Sequence, residues 1–319
     1  MGPDDSDDVE AFTRVAPVNE NGPIAVETHP NLGLLPTQCG NIENERIIFR
    51  GNRTELFELP WMVLLNVLIL ARGPALSCGG SLVNEWYVLT AAHCVAFLGD
   101  RLRLNGVILG EHDIRQDPDC EIGDDVEYCA PKIQVSYFHI YNTTMDLGPI
   151  EIGPNYQSKD PVNLSRHLGT YFIFFTASMK PLCLPTTKKL QSESLKGKNA
   201  IVAGWGVMEK GLQSPVLLNV ELPVIIPEEC TQAYRGSVSL LLHPAKTQLC
   251  AGGVNGKDSC KGDSGGPLIY PGIIGKSGLR YVQRGLVSFG PAICGLDGFP
   301  GVYTNVAYYM KWILDNMHS

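Results

Sequence analysis

The clearest chemical signal in the sequence is a serine set among glycines, in Asp258-Ser-Cys-Lys-Gly-Asp-Ser-Gly-Gly-Pro267. Glycine allows sharp turns and close backbone approach, so the Ser264 hydroxyl can stand exposed beside backbone amides. A nucleophile next to N–H donors suits acyl transfer, because the donors stabilise the oxyanion that develops. A Gly/Ser surface turn is the other interpretation of this stretch taken alone.

A second stretch, Leu89-Thr-Ala-Ala-His-Cys94, supplies the base that such a serine needs. A serine hydroxyl is a weak nucleophile at neutral pH until a neighbouring group takes its proton. Imidazole titrates near neutrality, so His93 is the candidate general base. An isolated histidine would more often be structural. The combination of the two stretches therefore predicts a nucleophilic hydrolase.

Composition fits a soluble globular protein built of many short strands. The chain has 319 residues, of which 44% are hydrophobic, with 34 glycines and 22 prolines that suit many short strands joined by turns. A net charge of −8 argues against a nucleic-acid partner. The apolar run Met62–Ala71 is too short to cross a bilayer and contains Asn66, so it predicts a core strand and no membrane partner.

Ten cysteines, an even number, predict disulfides and an oxidising compartment. The spacing Cys-x-x-Cys occurs nowhere, which argues against a zinc site. The opening stretch Met1–Asp8 has neither the basic nor the apolar region of a secretory signal. We therefore expect a secreted protein whose signal peptide is not present in this chain.

The chain resembles the trypsin/chymotrypsin-like serine proteases from about Arg46 to its C-terminus. The resemblance rests on the two stretches above and on Gly204-Trp-Gly206 and Pro300-Gly-Val-Tyr303. It implies an all-β fold of two six-stranded antiparallel β-barrels, roughly 47–165 and 180–319, with the active site between them. Apolar residues at helical spacing over Ala307–Met317 predict the C-terminal helix.

Residues 59–71 and 80–90 are predicted strands of the first barrel. Those of the second are expected at 199–204, 216–225, 247–252, 266–270, 281–289 and 301–306. The acidic, Pro-rich residues 1–38 lack periodicity and predict a flexible propeptide or linker within a segment 1–46, followed by a protease domain 47–319.

The resemblance also implies the disulfide pairing. The family pattern gives Cys78–Cys94, Cys230–Cys250 and Cys260–Cys294. The nearby Cys120 and Cys129 would close a surface loop, and Cys39 and Cys183 would tie the N-terminal segment to the protease body.

Matching the family's site onto this chain gives each residue an expected role. His93 and Ser264 would be the catalytic base and nucleophile, with the amides of Gly262 and Ser264 as the oxyanion hole. Asp258 would form the base of the primary pocket and select a substrate Arg or Lys. The remaining pocket positions are Ser288, behind the triad, and the small walls Gly290 and Gly301.

Precursor activation is implied by Glu45-Arg-Ile-Ile48. In the family, cleavage after a basic residue, here Arg46, releases a new N-terminus, here Ile47. Its ammonium pairs with the aspartate before the nucleophile, here Asp263, and orders the oxyanion hole. The other interpretation is an ordinary loop arginine.

The third triad member has no clear counterpart. The family carries it in an Asp-Ile-Ala-Leu type strand, which is absent here. Asp160 and Asp146 are the nearest candidates, and Asp160 is the better of the two. The segments Val135–Pro149 and Leu164–Met179 fit neither the barrel pattern nor the family, which suggests the hypothesis of intron-derived or misjoined sequence.

The acidic loop Gly110–Ala130 is the one candidate cofactor site. Oxygen-rich loops can hold Ca²⁺, and some relatives do so at this place. A solvated acidic loop is the competing interpretation, because no recognisable ligand spacing is present. No other metal or cofactor is predicted.

The tethered Cys39, the pair Cys120/Cys129 and the expected cut at Arg46 resemble arthropod clip-domain proteases, although the clip module itself would need six cysteines before Cys39. The resemblance implies a secreted trypsin-like endopeptidase of an immune, melanisation or clotting cascade, with an upstream activating protease, protein substrates cut after Arg or Lys, and a serpin-type inhibitor. A catalytically silent homologue acting as a cascade cofactor and a lectin-like or structural β module are the alternatives.

Overall fold

A computed structural model describes residues 23–42, 52–69, 73–96, 102–123, 126–135, 138–140, 148–152, 175–208, 211–235 and 246–318. Arg46, Ile47, Asp146 and Asp160 lie outside the described residues. The described strands are β1 (Asn52–Arg53), β2 (Met62–Ile69), β3 (Gly73–Leu82), β4 (Tyr87–Thr90), β5 (Leu102–Leu109), β6 (Asp119–Gly123), β7 (Val126–Ala130), β8 (Ile133–Val135), β9 (Phe138–Ile140), β10 (Gly148–Ile152), β11 (Asn199–Gly204), β12 (Leu218–Ile225), β13 (Gln248–Ala251), β14 (Pro267–Ile273), β15 (Leu279–Phe289) and β16 (Gly301–Asn305). The α-helices are α1 (Lys188–Ser192), α2 (Pro227–Ala233) and α3 (Val306–Asp315).

The C-terminal half contains a closed barrel. Its strands follow the order β12-β11-β14-β15-β16-β13, and β13 pairs back with β12, so the ring has six antiparallel strands with β1 added outside β12. In the second half of β12, the buried Leu222 and Val224 alternate with the more exposed Pro223 and Ile225, as expected for a strand with one face in a core. Closure leaves few free strand edges. The predicted fold is confirmed in this half.

The N-terminal half forms a second antiparallel sheet in the order β8-β5-β2-β3-β4-β10-β9. It is a curled half-barrel, because its end strands β8 and β9 do not pair with each other within the described residues. The apolar run at Met62 forms β2, as predicted.

Two strand predictions for this half need correction. The run 80–90 is not one strand, because the Asn84 side chain accepts hydrogen bonds from the Trp86 and Tyr87 amides, at 2.9 and 2.8 Å, and turns the chain between β3 and β4. Part of 135–149, expected to fit no barrel pattern, joins the sheet through β9 and β10, and β10 pairs with β4.

The prediction of a flexible N-terminal segment is wrong for residues 23–38. Val26 is 1% exposed and packs in the core shared by the first sheet and α3. The side-chain Nδ2 of Asn31 donates hydrogen bonds to the backbone carbonyls of Leu314 and Met317, both at 2.9 Å, at the end of α3. The chain is therefore held here by contacts that composition does not reveal.

The disulfides of the structure are Cys39–Cys183, Cys78–Cys94, Cys120–Cys129, Cys230–Cys250 and Cys260–Cys294, the pairs that the resemblance implies. The predicted C-terminal helix is present as α3, and its buried side chains pack on the first sheet. None of the helices in the described ranges is long and apolar enough to cross a membrane.

Candidate active site

The loop that carries Ser264 leaves the second sheet and rests on the first. The Ser264 carbonyl accepts a hydrogen bond of 2.7 Å from the Gly79 amide on β3. Cys94 Sγ lies 3.7 Å from the same carbonyl oxygen. His93 directly precedes Cys94 in the short 3-10 turn Ala92–Cys94 that follows β4. The structure therefore brings together the backbones of the two stretches that sequence analysis singled out.

Gly265 is required at this junction by geometry. Its φ is +79°, a conformation that side chains rarely adopt, and a Cβ there would lie 2.2 Å from Thr90 Oγ1 and 2.5 Å from the Gly79 carbonyl oxygen. The Thr90 hydroxyl itself donates to that carbonyl at 2.7 Å. Only a glycine allows the Ser264 loop to approach the histidine-bearing strand this closely.

Two backbone amides of the Ser264 loop are free of backbone hydrogen bonds within the described residues. The neighbouring Asp263, Gly265 and Gly266 amides donate to backbone carbonyls. Within the described residues, the Gly262 and Ser264 amides have no backbone acceptor. Gly262 has a φ of +99° and lies against Gly206, where a Cβ would be 3.1 Å from the Gly206 Cα. The arrangement is compatible with a pair of donors for an oxyanion.

The Asp263 carboxylate is buried against the Gly204-Trp-Gly206 stretch of the second barrel. Its carboxylate accepts from the Gly206 and Cys260 amides, both at 2.8 Å. A Cβ on Gly204 or Gly206 would lie 2.1 or 2.5 Å from carboxylate atoms of Asp263, which explains both glycines of the Gly-Trp-Gly stretch. Burial raises the pKa of Asp263 to about 6, against the lowering effect of these two hydrogen bonds.

Asp258 lies beside Gly301, one of the two small residues expected to form pocket walls, and Gly301 in turn adjoins the other, Gly290. A Cβ on Gly301 would be 3.1 Å from Asp258 Oδ1, and one on Gly290 would be 3.8 Å from the Gly301 Cα. The Asp258 carboxylate accepts from the Ser259 amide at 2.9 Å and the Gly295 amide at 3.3 Å. Burial raises its pKa to about 6, because these bonds compensate only part of the lost hydration.

Sequence reasoning did not identify the polar groups that surround this carboxylate. The Tyr303 hydroxyl is buried and lies 3.0 Å from Ser259 Oγ. The Tyr234 hydroxyl donates to the Pro300 carbonyl at 2.5 Å. Tyr303 belongs to the Pro300-Gly-Val-Tyr303 stretch. Its place in that recognised motif is the sequence feature that could have identified it as a residue of the site. Ser288, expected behind the triad, is 7% exposed.

His93 is half-buried, and burial lowers its pKa, which keeps the ring neutral near pH 7. In the part of the chain that the structure describes, no carboxylate is hydrogen-bonded to the ring. Both aspartates proposed for the third position, Asp146 and Asp160, fall outside that part, as do Arg46 and Ile47 of the expected activation site.

Two kinds of place in the structure bring together residues that can bind metals. Two clusters of three potential ligands occur among the described residues, Cys78–His93–Cys94 and Cys120–Glu127–Cys129, but in both the cysteines are joined in disulfides and are not thiolate ligands. In the acidic loop, Glu111 Oε1 and Asp119 Oδ1 are buried oxygens that have no hydrogen-bond partner among the residues that the structure describes. Calcium binds oxygen ligands, so these two fit a cation.

Comparisons with known proteins agree with the geometry. The trypsin family model matches residues 48–313. The chain is 36% identical over 294 residues to Melanization protease 1 of Drosophila melanogaster, covering 90% of this chain and 70% of that protein. It is 36% identical over 310 residues to CLIP domain-containing serine protease B4 of Anopheles gambiae, covering 95% and 77%. The crystal structure of the Drosophila Grass clip serine protease of the Toll pathway superposes with a TM-score of 0.70 at 32% identity, covering 92% of this chain and 76% of that one. The chain therefore belongs to the trypsin family of serine proteases, and the relatives it matches are insect CLIP-domain proteases.

Proposed function

We propose that the chain is a secreted, zymogen-activated serine endopeptidase that cleaves proteins after Arg or Lys in an extracellular immune or melanisation cascade. The observation that carries the proposal is the docking of the Ser264 loop on the strand and turn that lead to His93. This contact supports the assignment of Ser264, on a loop of one sheet, as the nucleophile and of His93, after a strand of the other sheet, as the base. In this proposal the protease domain is 47–319, and 1–46 is the propeptide segment tethered by Cys39.

The reaction follows from the roles of these groups. His93 takes the Ser264 proton as the serine oxygen attacks the scissile carbonyl. The amides of Gly262 and Ser264 receive the oxyanion, and loss of one such donor costs about 3 to 4 kcal/mol in other enzymes. His93 then protonates the leaving amine, and water releases the acyl group by the same steps.

Specificity is assigned to Asp258. Burial removes water from the Asp258 carboxylate and raises its pKa to about 6. A cation bound against this carboxylate would stabilise its charged form. Gly290 and Gly301 leave room for a long side chain. A substrate Arg or Lys would therefore bind more tightly than an uncharged side chain, because the latter would leave the buried charge unpaired.

The cascade role rests on relatives. Melanization protease 1 and Phenoloxidase-activating factor 3 of Holotrichia diomphalia, 34% identical over 297 residues, are named for such pathways. A cascade protease needs an upstream protease to cut its own precursor, here after Arg46, and a protein substrate to cut in turn. A serpin-type inhibitor completes the proposed set of partners.

One observation favours a second function. The sequence lacks the Asp-Ile-Ala-Leu type strand in which the family carries the aspartate that fixes the tautomer of the catalytic histidine. Replacing the triad aspartate by its amide costs about 10⁴ in kcat in the chymotrypsin-type example. The second candidate is a catalytically silent homologue that acts as a cascade cofactor.

Titration of the cut protein distinguishes the two functions. The full chain, cut after Arg46, is treated with a fluorophosphonate probe and assayed on Arg and Phe esters. Stoichiometric labelling, abolished by Ser264→Ala, with Arg-ester hydrolysis supports the proposed endopeptidase. Normal folding with neither labelling nor hydrolysis supports the cofactor. Labelling with preference for the Phe ester would refute the role of Asp258 while leaving the protease intact.

A further inference from the structure

An exposed corner of this acidic chain carries a surplus of positive charge. The whole chain has a net charge of −8, yet residues 186–199 contain four lysines and one acidic residue. All four lysines are exposed. They form two pairs, Lys188 with Lys189 on α1 (the α1 pair) and Lys196 with Lys198 in the turn before β11 (the turn pair). Together the two pairs are called the lysine patch.

The charges of the patch are not neutralised by neighbouring carboxylates. Among the residues that the structure describes, none of the four ammonium groups forms a salt bridge. Glu193, the acidic residue of the stretch, pairs with Arg284 at 2.6 Å. Glu27 also lies close, since its carboxylate accepts from the Lys188 backbone amide at 2.8 Å. One opposing charge against four ammonium groups leaves the corner positive.

The α1 pair is held at the surface by the residue that follows it. Leu190 is 4% exposed, and its carbonyl accepts from Arg284 Nη1 at 2.8 Å. Its amide donates to Thr187 Oγ1 at 3.3 Å, which caps the start of α1. Because Leu190 is anchored to the second barrel in this way, Lys188 and Lys189 extend from a fixed backbone.

The turn pair is fixed in a similar manner. The Lys198 amide donates to the Leu195 carbonyl at 2.9 Å, and the Lys198 carbonyl accepts from the Val224 amide at 2.8 Å. Leu195 is buried in the core of the second barrel. Gly197 supplies the positive φ, +68°, that the turn requires, and a Cβ there would have no neighbour within 4 Å. The turn therefore presents Lys196 and Lys198 to solvent.

The side chains around the patch narrow the class of its partner. Residues 186–199 expose no large apolar side chain, whereas the centre of a protein interface and a membrane-binding surface both need one. The stretch contains no aromatic residue on which the bases of a single-stranded nucleic acid could stack. A flexible polyanion that binds through charge alone fits these features. A lysine ammonium is a compact charge with three donors, which suits the oxygens of a sulfate group.

We propose that the lysine patch binds a sulfated polysaccharide, and that one polysaccharide chain contacts both the α1 pair and the turn pair. Sulfate groups repeat along such a chain, so separate groups can reach the two pairs. The contacts are exposed and act over roughly one Debye length, about 8 Å at physiological salt, so binding weakens as salt rises. The patch shares no residue with the candidate active site. Binding would concentrate the protein on sulfated extracellular surfaces whether or not it is catalytically active.

Titration with a heparin octasaccharide tests the patch. The full chain carrying Ser264→Ala, which prevents autolysis, is studied by isothermal titration at about 0.05 M and about 0.15 M salt. Two double variants remove the pairs separately, Lys188→Gln with Lys189→Gln and Lys196→Gln with Lys198→Gln. We expect each double variant to raise the Kd by about tenfold or more and to reduce its salt dependence, because two charge contacts are lost. Parent-like Kd values for both double variants would overturn the proposal. A loss confined to one pair would overturn the contact of a single chain with both.

A third double variant controls for net charge. Arg235→Gln with Lys276→Gln removes two exposed cations outside the patch and changes the net charge by the same amount. This variant should bind the octasaccharide as the parent does. A loss equal to that of the patch variants would mean that heparin responds to overall charge and not to the patch. All the substituted side chains are exposed, so the Tm of each variant should match the parent and show that the fold is intact.

Two further probes identify the chemistry that is recognised. Heparin whose sulfates have been removed keeps its carboxylates, and it should bind the parent about tenfold more weakly or worse, because fewer charges meet the ammonium groups. A DNA duplex of similar length should also bind more weakly than the octasaccharide. Equal binding of desulfated heparin would exclude sulfate as the recognised group. Tighter binding of the DNA, lost in both patch variants, would assign the patch to nucleic acid and refute the polysaccharide.

Discussion

The amide of Gly79 on the first sheet donates a 2.7 Å hydrogen bond to the carbonyl of Ser264 on a loop of the second sheet. The Gly79 carbonyl in turn accepts from Thr90 Oγ1 at 2.7 Å, on the strand that leads to His93. One residue of β3 thus contacts both the nucleophile loop and the strand before the candidate base. The relative position of the two chemical groups therefore depends on close packing of backbone atoms between the sheets.

Gly265→Ala should disrupt this junction. The added Cβ would meet Thr90 Oγ1 at 2.2 Å and the Gly79 carbonyl oxygen at 2.5 Å, so the loop must move away from β3. A displacement of about 1 Å at a catalytic group can cost roughly 10²-fold in rate. We expect at least that loss in kcat/KM on an Arg ester and a lower Tm.

The matched control is Gly33→Ala, where a Cβ has no neighbour within 4 Å. This variant should keep the activity and Tm of the parent. An active, stable Gly265→Ala protein would show that the Ser264 loop does not depend on close contact with β3.

The site was predictable from sequence where its residues lie in short continuous stretches. Ser264 and Asp258 are six positions apart, and Gly265, which lets the Ser264 loop approach β3, directly follows Ser264. Gly204 is a different case: its motif was recognised, but the reason for it, the Asp263 carboxylate lying where a Cβ would be, involves residues far apart in the chain.

The N-terminal segment was mispredicted because its contacts are made by single side chains. Val26 packs in the core and Asn31 binds the end of α3, but neither belongs to a periodic pattern. An acidic, Pro-rich composition records average polarity and not such isolated contacts. The split of 80–90 into two strands has a similar cause, since it depends on one side chain, Asn84.

Asp258 gives a prediction for ligand binding as a function of pH. Burial raises its pKa to about 6, so the free protein loses the carboxylate charge as pH falls through that value. Benzamidine, a small cation, should bind the charged form. Its affinity for the cut protein should be constant above about pH 7 and fall by about tenfold per unit well below pH 6. Isothermal titration between about pH 5 and pH 8 measures this affinity, because the range includes the pKa of Asp258.

Asp258→Ser provides the comparison for this profile. Its benzamidine affinity should be weak and nearly independent of pH over the same range, because no carboxylate titrates in the pocket. A parent profile as flat as that of Asp258→Ser would exclude Asp258 as the cation-binding group.

Asn31→Ala should weaken the attachment of the N-terminal segment. The change removes two hydrogen bonds to carbonyls at the end of α3, each about 2.9 Å long. Typical intramolecular hydrogen bonds contribute about 1 kcal/mol each. We expect the free energy of unfolding in urea to fall by about 1 to 2 kcal/mol. Gln38→Ala, which changes an exposed side chain of the same segment, should have no effect. Equal stability of the two variants would contradict a role for Asn31 in holding α3.

The raised pKa of Asp263 leads us to expect that cleavage after Arg46 changes how the stability of the protein depends on pH. Among the described residues, the Gly206 and Cys260 amides donate to the Asp263 carboxylate, and burial raises its pKa from 3.8 to about 6. The folded state therefore binds more protons than the unfolded state between these values, and stability falls as pH rises from about 4 to about 6. The loss is on the order of 2 to 3 kcal/mol for one group. If the ammonium of Ile47 pairs with Asp263 after the cut at Arg46, the folded pKa drops and this loss disappears.

Urea unfolding of the Ser264→Ala chain, cut and uncut, between about pH 4 and pH 7 measures the difference, because the shift of Asp263 operates in that window. Asp258 titrates in a similar range but is present in both forms, so its contribution largely cancels in the comparison. A variant with one glycine inserted between Arg46 and Ile47 keeps the cut but displaces the new ammonium, and it should retain the slope of the uncut chain. Parallel curves for the cut and uncut proteins would mean that no cation reaches Asp263, and a charge pair at that aspartate could then no longer explain activation.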